Sequence, residues 1–128
     1  MPFRRGAHGL TLPRDTSHAE HMTDPIARLH AAIIDCRDKD PAGSRTAKLL
    51  NDGIPKMAKK LAEEAVEVSL DAVVGKRHDV ILESVDLIYN LTVLWTAMDV
   101  RPQDVWDEME RRERLYGICE KLPKMLSE

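Results

Sequence analysis

Residues 77–98, RHDVILESVDLIYNLTVLWTAM, decide the fold. At 100° per residue their apolar side chains, Val80, Ile81, Leu82, Val85, Leu87, Ile88, Leu91, Val93, Leu94 and Trp95, take up nearly every side of a helix. One stripe is different and carries Asp79, Glu83, Asp86 and Asn90. A helix that is apolar all round is buried all round. The stretch therefore predicts a central helix from about Arg77 to Met98, with Glu83 and Asp86 looking inward.

Upstream, Pro55 opens a helix that Gly75 closes after Val74. These third and fourth helices of the chain, each of roughly 20 residues, are joined by a tight turn at GKR and predict an antiparallel hairpin. Further out, TDPIARLHAAIIDCRD reads as a first helix: Thr23 or Asp24 caps it, Pro25 sits in its first turn, and Ile26, Leu29, Ile33 and Ile34 recur with helical spacing. DKDPAG breaks the chain, SRTAKLL supplies one or two turns stopped by NDG, and RPQDVWDEMERRERLY gives a fifth helix with Pro102 near its start. No strand alternation competes, so the class is all-α. The short first, second and fifth helices do not readily cover the fourth. A second chain adding its own hairpin would, as a four-helix core, which predicts a homodimer or a dimer of dimers. The alternative is a compact monomer covered by helices one and five.

The 128 residues fit one domain, and 43% hydrophobic with 32% charged residues describes a soluble globular chain. A net charge of −3, from 19 basic and 22 acidic residues, leaves no electrostatic footprint for nucleic acid. No apolar run is expected to reach membrane-span length. MPFRRGAHG is basic without an apolar core after it, so no secretory signal is expected. Cys36 and Cys119 lack metal-like spacing and read as free thiols of a reducing cytoplasm, the alternative being one disulfide between them. Residues 1–22 show no period and are expected to be a disordered tail, with Met22 an alternative start; 23–118 form the domain and 119–128 a C-terminal tail. Trp95 and Trp106 are expected as core or interface anchors, His30 on a helix surface, and Tyr89, off the acidic stripe, as packing.

The third helix carries EEAVE at 63–67. Leu61, Ala65, Val68 and Ala72 form its apolar stripe; Glu64 lies beside that stripe, Glu67 one position further round, and Lys60 and Asp71 share the flank. Glu64 and Glu67 are three apart, as are Glu83 and Asp86, so each pair shares a helix face. In an antiparallel hairpin the two faces meet and four carboxylates converge. Mutual repulsion and desolvation make that costly without a partner. A hard divalent cation, Mg²⁺ or Mn²⁺, resolves it. No His or Cys shares either face, which argues against zinc. A solvated Glu/Lys face would account for KKLAEEAVE alone, but not for Glu83 and Asp86 on an otherwise apolar helix.

E-E-x-x-E, fifteen residues, then E-x-x-D is the pattern of Glu63, Glu64, Glu67, Glu83 and Asp86, and it resembles that of the all-α MazG-like nucleotide pyrophosphohydrolases. With DPAGSRTAKLLNDG, KKLAEEAVEV, ESVDLIYNLTVLW and VWDEMERR, from about Ile26 to Arg112, the chain more narrowly resembles the phosphoribosyl-ATP pyrophosphohydrolases of histidine biosynthesis. The resemblance implies cleavage of the α–β phosphoanhydride of phosphoribosyl-ATP to phosphoribosyl-AMP and pyrophosphate, Mg²⁺ dependence and a helical dimer. It implies Glu64, Glu67, Glu83 and Asp86 as metal ligands; Ser44, Thr46 and Lys48 beside the substrate; and Lys59 or Lys60 and Arg111 or Arg112 as phosphate contacts. The family often has an aromatic residue where Arg45 stands, a glycine near Ala62 and a histidine where Asn90 stands. Asn90 keeps a polar group on the stripe, near the pocket that reads base or sugar, and removes a titratable one.

Chemically, metal ions standing between carboxylates and phosphates would polarise the phosphorus, activate water and neutralise the leaving pyrophosphate. Glu63, or whichever carboxylate the metal does not engage fully, would accept the water's proton; a ligand carboxylate is the rival. The competing functions are a housecleaning pyrophosphohydrolase with another nucleotide substrate and a non-enzymatic helical binding module. A di-iron bundle would need Glu-x-x-His motifs, which neither acidic cluster has.

Overall fold

The computed structural model describes residues 24–116. The expected tails, 1–22 and 119–128, lie outside the described residues, as does Cys119. Five helices follow one another: α1 Pro25–Cys36, α2 Arg45–Asp52, α3 Ile54–Val73, α4 Arg77–Ala97 and α5 Pro102–Tyr116. The described chain is all-α.

Local chemistry sets these boundaries. Asp24 caps α1, its carboxylate accepting from the Ile26 N–H at 2.9 Å, and Pro25 occupies the first turn, where its missing N–H costs nothing. Its second carboxylate oxygen accepts from the Trp106 indole N–H at 3.2 Å, so one side chain caps α1 and ties α5 to it. Ser44 caps α2 through the Ala47 N–H. This helix runs two residues beyond the expected SRTAKLL, through Asn51 and Asp52. Lys48 pairs with Asp52 at 3.1 Å across that extra turn, and only Gly53, at φ 95°, stops it. Gly75, at φ 75°, reverses the chain after α3, and the Lys76 N–H closes the end on the Asp71 carbonyl at 2.9 Å.

α3 and α4 pack along each other as antiparallel neighbours. Residues equidistant from Gly75 in sequence meet across the seam: Met57 shares the core cluster with Val93, and Glu64 reaches Asp86. Ile33 of α1 and Leu49 of α2 complete that cluster, with Leu29, Leu50, Tyr89, Leu94 and Ala97 around it. Thr92 and Thr96, both buried, satisfy their hydroxyls on the carbonyls of Ile88 and Thr92 one turn back, at 2.7 and 2.9 Å. Trp95 and Trp106 meet edge to face, centroids 6.3 Å apart, as the expected anchors between α4 and α5. His30 is half-buried rather than on an open helix surface; burial first, then Arg37, holds its imidazole below the ordinary value.

The core therefore occupies one end of the hairpin. Toward Gly75 the single chain leaves Val66, Leu70 and Val73 of α3 and Ile81, Leu82, Val85 and Ile88 of α4 exposed, Val73 by 84% and Val85 by 63%. By length and composition alone α4 is apolar enough to cross a membrane, contrary to the expectation from the sequence: its 21 residues have a mean hydropathy of 1.3 over the best window. The same helix carries Glu83 and Asp86, whose carboxylate oxygens lie within 4.8 Å of one of Glu64 on α3.

Candidate active site

Glu64 projects from the face of α3 that bears Leu61 and Val68, and so lies in the seam with α4. Glu83 and Asp86, one helical turn apart, face it from α4. Each of the three offers a carboxylate oxygen, and these oxygens all lie within 4.8 Å of one another. Glu64 and Glu83 are half-buried and Asp86 is exposed, so the cluster opens to solvent on the Asp86 side.

The electrostatics are those of carboxylates crowded against one another. Burial, with the neighbouring charges of Glu67 and Asp86, pushes the Glu64 carboxyl up, although contact with Glu83 opposes this. Glu83 is pushed up to about 7, chiefly by its contact with Glu67, then by desolvation and by Glu64. A carboxylate oxygen only accepts, so these contacts are hydrogen bonds only while one partner holds a proton. With all groups ionised, Oε2 of Glu64 is buried without a hydrogen-bond partner. An orphaned buried oxygen beside two further carboxylates, with no nitrogen or sulfur donor in the set, fits a hard, oxygen-seeking divalent cation such as Mg²⁺ or Mn²⁺.

Of the four expected ligands, three form this set. Glu67 is exposed and adjoins it through Glu83. Glu63 does not join them; its carboxylate lies 4.0 Å from the ammonium of Lys59. Lys60 makes no ion pair with Glu64, which turns toward α4 instead. Asn90 is buried, and its side-chain amide donates to the Asp86 backbone carbonyl at 2.8 Å, bracing the turn that presents Asp86. Ser44 caps α2 and Lys48 pairs with Asp52 on its exposed side. Arg111 and Arg112 both grip Glu108, at 2.7 and 2.8 Å, and hold its carboxyl down at about 2. Thr46 bonds the Tyr89 hydroxyl at 2.6 Å, a contact the packing role expected for Tyr89 had missed. The available signal was its place three residues after Asp86.

A cleft of about 590 Å³ between α1 and the start of α5, lined by Asp24, His30, Arg101 and Trp106 among others, includes none of the clustered carboxylates. Donor chemistry, not cavity size, locates the site. Residues 26–113 match the family model described as phosphoribosyl-ATP pyrophosphohydrolase. The chain belongs to the phosphoribosyl-ATP pyrophosphohydrolase family. It is 63% identical over 103 residues to phosphoribosyl-ATP pyrophosphatase 2 of Rhodopseudomonas palustris, covering 80% of this chain and 79% of the relative. The corresponding protein of Bradyrhizobium diazoefficiens is 60% identical, covering 80% and 77%. Phosphoribosyl-ATP pyrophosphatase of Azospirillum brasilense is 43% identical over 96 residues, covering 75% and 86%. The family match spans both halves of the acidic cluster and the α2 segment that faces α4.

Proposed function

We propose that this chain hydrolyses the α–β phosphoanhydride of phosphoribosyl-ATP, giving phosphoribosyl-AMP and pyrophosphate in histidine biosynthesis, at the carboxylate cluster of the α3–α4 seam. The observation that carries the site is the buried, unpartnered Oε2 of Glu64 facing Glu83 and Asp86. The names of the relatives carry the substrate.

Glu64, Glu83 and Asp86, with Glu67 beside them, would hold Mg²⁺ or, in its place, Mn²⁺. When bound, the ion supplies Lewis-acid polarisation of the phosphoryl oxygens and activation of water. The residues do the rest. The half-buried Glu64 and Glu83 fix the site's depth, and the exposed Asp86 faces the side from which a nucleotide arrives. Asn90 holds the Asp86 turn in place. Lys59 and Lys60, exposed on the cluster's helix, supply positive charge for the phosphates, as do Arg111 and Arg112 on exchange from Glu108. The attacking water gives up its proton to a carboxylate as the phosphoanhydride bond breaks. A cluster carboxylate is better placed for this than Glu63, which lies against Lys59.

The chain works as a homo-oligomer in the cytoplasm. Exposed valine, isoleucine and leucine on α3 and α4 support a second copy as the cover, and the free thiol of Cys36 suits a reducing compartment. Asp86→Asn tests the site. It removes a ligand and a repulsive charge together, so turnover is lost, while the metal-free protein melts at the same temperature as the parent or higher. A metal-free variant that unfolds would make Asp86 a structural partner instead.

A further inference from the structure

The hydroxyls of Thr46, on α2, and Tyr89, on α4, are 2.6 Å apart. Two hydroxyls carry two protons, and the bond between them uses one. Among the described residues neither oxygen has another hydrogen-bond partner. One O–H is therefore left to donate from a half-buried position. The Tyr89 ring packs against the core cluster of Ile33, Leu49, Met57 and Val93, which fixes its oxygen from behind. Tyr89 follows Asp86 by three residues and so stands beside it on the surface of α4. Thr46 is the second residue of α2, just past the Ser44 cap and a loop folded on Asp40, whose carboxylate accepts from the Ala42 N–H at 3.0 Å. The bond thus pins the start of α2 to the helical turn that presents a metal-site carboxylate. Packing alone would be served by phenylalanine and valine at these positions.

We propose that Tyr89 is a positioning residue for the reaction: its hydroxyl holds Thr46 and the first turn of α2 against the Asp86 turn, and the pair's remaining proton is donated to an oxygen of the bound substrate. This rests on the reading of the seam as the site of phosphoribosyl-ATP cleavage. It adds a residue whose contribution passes through Thr46.

Tyr89→Phe removes the hydroxyl and keeps the ring in the core; Thr46→Val removes the other hydroxyl, and Thr46→Ser restores it. Two readouts on the full-length protein separate the tie from the chemistry. Hydrogen exchange of the 40–48 segment should be faster in Tyr89→Phe than in the parent, with α3 and α4 amides unchanged. Steady-state kinetics with phosphoribosyl-ATP and Mg²⁺ should show KM raised about fivefold, the equivalent of one hydrogen bond, with kcat within about twofold. Thr46→Ser should stay near the parent, and Tyr89→Phe added to Thr46→Val should cost nothing more. Unchanged exchange in Tyr89→Phe overturns the tie whether or not the parent is active. Altered exchange with parental kinetics overturns the role in the reaction, as does a full additional loss in the double variant. A parent that binds Mg²⁺ but releases no pyrophosphate from phosphoribosyl-ATP refutes the functional reading, and with it the substrate half of this proposal, while leaving the exchange result to stand for the tie.

Discussion

Glu64 and Glu83 meet across the α3–α4 seam, and their shared environment has a consequence for stability. The folded carboxyl of Glu83 is held up at about 7, and that of Glu64 is also raised, against 4.5 for an unperturbed glutamate. Between those limits the folded chain binds more protons than the unfolded one, so the stabilisation present below pH 4.5 is lost as pH rises through about 7. Glu108 works in the opposite sense. Its carboxyl is held near 2 by Arg111 and Arg112, so its contribution is present above 4.5 and lost as pH falls toward 2. Metal-free protein followed by thermal melting should therefore lose stability from pH 5 to pH 8. On the proposed reading Mg²⁺ would compete with the protons for the same oxygens, so it should raise the melting temperature at pH 8 far more than at pH 5. A metal-free melting curve that rises over that range, or a Mg²⁺ effect independent of pH, would contradict this account of the cluster. At this scale the sequence showed the three clustered carboxylates through i,i+3 spacing on two helices. It did not show that Glu63 turns to Lys59, because neighbouring positions on a helix differ by 100° and the choice between flank and seam depends on the partner helix. Nor did it show the Thr46–Tyr89 bond, which joins residues 43 apart in sequence.

The elements themselves were legible because their ends are written in local chemistry. Asp24–Pro25, Ser44, Gly53 and Gly75 act through their own backbone and side chains, and the observed boundaries fall within about two residues of those expected. Lys48–Asp52 pairing carried α2 past its expected stop, an i,i+4 effect that competes with the turn tendency of Asn51 and Asp52. Gly75 is the joint on which the site depends, since it sets which residue of α3 faces which residue of α4. A Cβ there would meet nothing within 4 Å, so Gly75→Ala should cost only the backbone penalty of the left-handed conformation, about 1 kcal/mol. Urea unfolding should show that loss with Mg²⁺-dependent activity retained below the transition. A larger loss accompanied by inactivity would mean that the turn does more than reverse the chain.

Across the molecule, the described residues form a small core at one end of the hairpin and leave apolar side chains exposed at the other. A fourth helix with almost no polar side announced this in the sequence, but not where along the helix the cover would fail. α1 and α2 reach only the half of α4 that holds Val93, and nothing local encodes that division. A second copy is the proposed cover. Light scattering at low micromolar concentration should report at least a dimer, and Val85→Glu should shift it toward monomer; a soluble, well-folded parental monomer would defeat the proposal. The seam carboxylates are proposed to hold a metal ion for cleavage of phosphoribosyl-ATP. Release of pyrophosphate from phosphoribosyl-ATP by the purified chain, with Mg²⁺, with EDTA, and with Mg²⁺ restored, tests it most directly. Turnover in Mg²⁺, abolished by EDTA and recovered on restoring the ion, is the predicted result; undiminished turnover in EDTA, or none in Mg²⁺, would contradict it.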